Sequence, residues 1–168
     1  MATETIQVSA FIPAPPMKVY TAWLSSEEHT AFTGGEAECE DRVGGKFTAW
    51  DEYISGTNQE LLEGRMIVQS WRTTEFPKNA PDSVLTVHFD PNKDGTQLTI
   101  LHTEIPEGQG RDYESGWFEY YLEPMQKYFA KGGAKTKATA KKTAAKKPVA
   151  KKKAAPAKKA PAKKKGKK

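Results

Sequence analysis

Seventeen lysines and no acidic residue stand between Lys131 and Lys168, while every Trp, Tyr and Phe of the chain lies at or before Phe129. A segment of that composition has too little apolar surface to offset the entropy lost on ordering, so it cannot supply a core. Removing those 17 lysines from the 26 basic residues leaves nine against all 21 acidic ones, a net charge of −12 over residues 1–130. The overall charge of +5 therefore describes neither part. The division predicts a folded acidic domain over 1–130 and a disordered Lys/Ala/Pro-rich basic tail over 131–168. About 130 residues bury roughly two thirds of their unfolded surface, which is enough for one core. The single cysteine excludes an internal disulfide, and three scattered histidines are too few for a structural zinc site, so no metal and no cofactor is expected. No apolar run is long enough for a membrane span, and Met1 to Ala10 lacks a basic region followed by an apolar core. A cytoplasmic location follows.

Residues Thr5 to Ile12 alternate Ile6, Val8, Ala10 and Ile12 against Thr5, Gln7, Ser9 and Phe11, the pattern of a half-buried strand. Pro13, Pro15 and Pro16 stop it and open a helix carrying Val19, Tyr20, Trp23 and Leu24. Ser25, three residues before Glu28, marks the cap of a second short helix. Glycine-bearing turns then recur every eight to ten residues, the spacing of an antiparallel meander. Phe47, Ala49 and Tyr53 alternate in one run, Leu85, Val87 and Phe89 in another, and Leu98, Ile100 and His102 in a third. Met66 to Thr73 centres on Ile67, Val68 and Trp71. After Gly110 the period turns helical, with Tyr113, Trp117, Tyr121, Met125 and Tyr128 or Phe129 on one stripe and Gly132-Gly133 at its end. The stripe must cover the open face of the sheet. Gly116 is expected to permit close approach to that sheet, and Pro124 to kink the last turns.

The strings Phe11-Ile12-Pro13-Ala14-Pro15-Pro16, Val19-Tyr20, Ala22-Trp23 and Gly44-Gly45-Lys46-Phe47 resemble the START-like helix-grip superfamily (SRPBCC). Ile67 to Arg72, Leu98-Thr99-Ile100 and Gly116-Trp117 with Tyr120-Tyr121 resemble, more narrowly, the C-terminal domain of activators of the ninety-kilodalton heat-shock chaperone ATPase. The resemblance covers about residues 6–130. It implies an α+β helix-grip fold, an antiparallel sheet wrapped around a long C-terminal helix. It also implies two functions: an apolar cavity for a small hydrophobic ligand, or a co-chaperone contact with a heat-shock chaperone ATPase. Because fold alone does not carry function, the leading expectation is the ligand-binding cavity, tethered to nucleic acid by the tail, with the co-chaperone contact as the alternative.

Trp50, Tyr53, Trp71, Phe89, Trp117 and Tyr121 are candidates for a cavity lining, set against the simpler account of core aromatics. Phe47, Tyr53 and Phe89 are the positions that alternation places inward. His102 shares the inward face of Ile100, where it either orients a ligand or moves a proton, or else serves as a hydrogen-bonded structural residue. Asp51 offers it a carboxylate partner, against the plainer reading of an exposed charge. A cyclase or hydrolase would rest on His102 and neighbouring tyrosines alone, and no nucleophile motif, phosphate loop or paired-acid spacing supports one. No catalytic residue is assigned, and a binding module is expected rather than an enzyme. Cys39, inside the acidic run Glu36 to Asp41, is expected to be inert because carboxylates raise its thiol pKa. The run itself reads as a solvated edge strand.

The tail repeats paired lysines among Ala and Pro: Lys141, Lys142, Lys146, Lys147, Lys151, Lys152, Lys153, Lys158, Lys159, Lys163, Lys164 and Lys165. In composition it resembles the C-terminal tails of linker histones and of bacterial histone-like proteins. A polycation binds nucleic acid by counterion release, and no Arg, Asn, Gln or aromatic here reads or stacks a base. Non-specific nucleic-acid binding and nucleoid association are therefore expected, in preference to a solubilising role or attachment to an anionic membrane surface. The 38 residues of a flexible coil reach roughly 34 Å end to end, so the tail can also fold back on its own acidic domain.

Overall fold

The computed structural model describes residues 2–132; the basic tail beyond lies outside the described residues. The first strand, β1 (Thr3–Ile12), has the alternation expected of it, with Val8 and Ile12 buried and Ile6 and Ala10 half-buried. Helix α1 (Pro16–Leu24) begins on a proline whose missing N–H is no loss in a first turn. It buries Val19, Tyr20, Ala22, Trp23 and Leu24. The Ser25 hydroxyl accepts the Glu28 N–H at 3.1 Å and so caps α2 (Ser26–Thr33). Gly34, at φ +87°, closes that helix in the left-handed conformation.

Six further strands follow: β2 (Glu38–Cys39), β3 (Lys46–Ala49), β4 (Ile54–Leu62), β5 (Met66–Thr73), β6 (Ser83–Asn92) and β7 (Gly95–Pro106). With β1 they form one antiparallel sheet in the order β1-β7-β6-β5-β4-β3-β2. Each strand pairs with its sequence neighbour except β1, which closes against β7. The acidic strand β2 is the opposite edge, as expected of a charged run. One face buries Ile67, Leu85, Val87, Phe89, Leu98, Ile100 and His102. The C-terminal helix crosses that face as α3 (Gly110–Trp117), a π-helical stretch (Phe118–Leu122) and α4 (Glu123–Ala130). This is the α+β helix-grip arrangement. Both oxygens of the Glu4 carboxylate hold the helix at its start, accepting the N–H of Gly108 at 2.7 Å and of Gly110 at 2.6 Å.

Three expectations about local structure change. Tyr53 does not continue the alternation of Phe47 and Ala49, because β3 ends at Ala49 and Trp50, Asp51 and Glu52 all take positive φ (54°, 57° and 70°). Tyr53 thereby lands on the rim. Gly116 is not a point of close approach to the sheet: a Cβ there would meet only the Tyr120 ring edge, at 3.7 Å. The disturbance expected of Pro124 takes the form of the π stretch just before it. Proline has no N–H for the carbonyl four residues back, and the wider turns re-route the bonding.

Candidate functional site

The grip between helix and sheet is built around two histidines. His102, on β7, has no exposed surface. Trp117 on α3 donates its indole N–H to His102 Nδ1 at 3.2 Å, and His102 Nε2 lies 2.7 Å from the Ser83 hydroxyl of β6. That hydroxyl donates to the Trp71 carbonyl at 2.8 Å, so it accepts from Nε2. These partners select the neutral tautomer with its proton on Nε2. Burial drives the His102 pKa down to about 3. A second proton on Nδ1 would face the indole N–H, so the geometry opposes the cation as well.

His29, on α2, is the counterpart. Its Nδ1 donates to the Trp23 carbonyl at 2.8 Å and its Nε2 accepts the Tyr121 hydroxyl at 3.0 Å. Burial lowers its pKa to about 4, against the opposing pull of the Trp23 carbonyl. Burial also pushes the Tyr121 phenol well above its usual range. From Trp23 a polar thread continues through the sheet. Its indole N–H donates to Gln69 Oε1 at 3.4 Å, Gln69 donates to Asn58 Oδ1 at 2.8 Å, and Asn58 donates to the Glu40 and Arg42 carbonyls. Each polar group meets a partner of opposite hydrogen-bonding sense, which is the condition for burying them cheaply.

The predicted lining residues separate into five places. Trp71, His102, Trp117 and Tyr121 do come together: Trp117 lies 5.6 Å from Trp71 and 4.8 Å from Tyr121 between ring centroids, and Trp71 lies 4.5 Å from His102. Phe89 sits further along the sheet, edge-on to Tyr20 at 5.6 Å. Phe47 is buried in β3 beneath a surface groove. Tyr53 belongs to a polar group at the rim, where it donates to Glu75 at 2.9 Å. There Tyr113 donates to Gln109 at 2.8 Å and stands 2.7 Å from the Thr73 hydroxyl. Trp50 is half-buried against Tyr120, 5.6 Å away. Asp51 is exposed and does not partner His102, whose ring nitrogens are taken by Ser83 and Trp117.

Cys39 is half-buried, and it is burial rather than the neighbouring carboxylates that lifts its thiol to about 12. It stays protonated at neutral pH. Sequence reasoning missed His29, Ser83, Asn58 and Gln69. Gln69 was detectable, because it falls between Ile67 and Trp71 on the inward parity of β5. His29 carried no such signal, since it looks like one more polar residue in a short charged helix.

Two grooves open on the outside. The larger, about 750 Å³, runs between α2 and the β2–β3 edge. The smaller, about 330 Å³, lies beside Tyr20, Leu24 and Leu61. Of the eight candidate cavity residues, Phe47 alone lines either. Among the described residues, no helix is long and apolar enough to cross a membrane, and no group of three His, Cys, Asp or Glu side chains could hold a metal ion. The tail lysines from Lys141 to Lys165 lie outside the described residues.

A seven-stranded sheet gripping a C-terminal helix around buried histidines defines a START-like domain. The family model described as activator of Hsp90 ATPase homolog 1-like protein matches residues 13–130, and the chain belongs to that family. It is similar to an activator of 90 kDa heat shock protein ATPase homolog from Dictyostelium discoideum, 28% identical over 128 residues, which are 76% of this chain and 33% of that protein. It is also 29% identical over 117 residues to the human activator of 90 kDa heat shock protein ATPase homolog 1, covering 70% of this chain and 34% of that one. The chain thus spans about a third of the length of these relatives. An HSP90 activator from Plasmodium falciparum has the same fold, with a TM-score of 0.70 at 23% identity over 75% of this chain and 96% of that one.

Proposed function

We propose that the acidic domain is a protein-binding module that engages a ninety-kilodalton heat-shock chaperone and raises its ATPase rate. The observation that carries this reading is the family match over residues 13–130. The close packing of the aromatic cluster supports it. A small apolar ligand between helix and sheet would have to displace Trp23, Trp71, Trp117 and Tyr121, whose contacting ring centroids stand 4.8–6.2 Å apart. A protein partner requires no such displacement, because it meets the outer surface. The test is the ATP turnover of a ninety-kilodalton heat-shock chaperone titrated with the full chain. A saturable rise in rate is expected; an unchanged rate together with no detectable complex would refute the reading.

The segregation of charge favours a second activity alongside the first. The +17 tail, which lacks any base-reading side chain, is suited to hold the −12 domain on nucleic acid without regard to sequence.

A further inference from the structure

We propose that the chain's own lysine-rich segment docks in the groove between α2 and the β2–β3 edge, as a salt-sensitive strap that withholds the tail from other polyanions. Both sides of the contact belong to one molecule, and the inference does not rest on the chaperone reading.

The groove has the right chemistry for such an occupant. Glu27 on α2 and Glu36, Glu38 and Glu40 on the opposite wall line it, with Lys46 as the one cation among its lining residues. Glu27, Glu36, Glu38 and Glu40 are all exposed. Its floor is apolar, made by Ala31, Ala37 and Phe47. A floor of that kind accepts the methylene stems of lysines whose ammonium groups reach the carboxylate rim, and the alanines between them leave room to lie flat.

The place where the tail begins supplies an independent argument. Helix α4 packs on α2, the helix that forms one wall of the groove: Tyr128 donates to Glu28 at 2.8 Å, and its ring lies 6.1 Å from Phe32. Residues 28 and 32 of α2 face α4, while residues 27, 30 and 31 line the groove. Gly132 follows the end of α4 by two residues. Gly132 lies four residues past Tyr128, so the root of the tail is at most about one helix diameter, roughly 10–12 Å, plus one helical turn of about 5.4 Å from the groove. At about 3.3–3.6 Å per extended residue, four to ten residues beyond Lys131 span roughly 13–36 Å. That span puts Lys135, Lys137 and Lys141 within reach of the groove. Tethering at this range corresponds to an effective concentration in the millimolar region, which lets individually weak surface contacts act together.

Carbodiimide coupling of the native full chain tests the strap, because it joins a lysine ammonium to a carboxylate only where the two touch. Peptide mapping after coupling in low salt is expected to find tail lysines joined to Glu27, Glu36, Glu38 and Glu40. Mixing ordinary and ¹⁵N-labelled chains separates links within one molecule from links between two. In about 1 M salt, where screening acts within roughly 3 Å, the links should be lost. In the double variant Glu36→Gln/Glu38→Gln, both on exposed positions, the remaining links to Glu27 and Glu40 should fall at least about twofold. Links spread equally over distant acids such as Asp90 and Asp94 would overturn the proposal. So would links mainly between differently labelled chains, or unchanged Glu27 and Glu40 links in the double variant.

Discussion

Acid should unfold this domain early, and two histidines set the size of the effect. His102 has its pKa lowered to about 3 and His29 to about 4, from an ordinary 6.5. Below pH 6.5 the unfolded chain takes up protons at both sites while the native state refuses them. Protons then favour the unfolded state, so stability is full above pH 6.5 and is lost as pH falls toward 4. Each site's cost approaches about 1.4 kcal/mol per pH unit below the unfolded pKa, and the two together remove about 3 kcal/mol between pH 6.5 and 5. Domains of ordinary stability hold only about 5–15 kcal/mol. Urea unfolding followed by tryptophan fluorescence measures this directly, and the midpoint should drop by about 2 M across that interval. Stopping at pH 5 keeps exposed carboxylates ionised in both states, so the histidines dominate. His102→Gln retains a donor toward Ser83 and an acceptor toward Trp117, and should halve the pH slope to about 1.4 kcal/mol per unit. A midpoint that stays flat from pH 7 to 5 would refute the locked-neutral account.

Glu4→Gln replaces a carboxylate that accepts the Gly108 and Gly110 N–H groups at the mouth of α3. The expected loss is about 1–2 kcal/mol, read as a lower thermal midpoint, and an unchanged midpoint would show that the contact is incidental. For the tail, if about ten lysines neutralise phosphates on duplex DNA, log affinity should fall against log salt with a slope near −9. Fluorescence anisotropy of the isolated 131–168 segment, which has no groove to occupy, measures that slope, and affinity that ignores salt would exclude counterion release as its source.

The order of elements was legible because its signals are local. Proline at the start of α1, Ser25 before α2 and the period-2 runs of β6 and β7 each follow from covalent and hydrogen-bonding rules acting over a few residues. The site was legible in its aromatic residues and in His102, but not in His29, Ser83 or Asn58. Trp117 and Tyr121 declare themselves through a helical apolar stripe and Trp71 through the apolar centre of its strand, whereas His29 meets Tyr121 across 92 positions of sequence. A pairing of that range leaves no trace in spacing. Tyr53 was misplaced for a related reason: alternation assumes an unbroken strand, and the left-handed turn at Trp50 has no glycine to announce it.

That turn explains how the domain carries its least regular geometry. One left-handed residue costs roughly 1–2 kcal/mol, and Trp50, Asp51 and Glu52 are three in succession. Such a turn persists only where packing over-determines it. Trp50 supplies the packing from two sides. Its ring lies so close to Gly35 that a Cβ there would collide with it, and on the other side it meets Tyr120 edge-on. Tyr120 belongs to the π stretch, itself an irregular segment. In that stretch Tyr121 points inward to His29 while its neighbour Tyr120 is 47% exposed against Trp50. The wider helical turn and the left-handed turn thus hold each other in place through one tryptophan. Phe118 and Tyr120 are thereby displayed on the outside of a helix whose inner face is completely engaged.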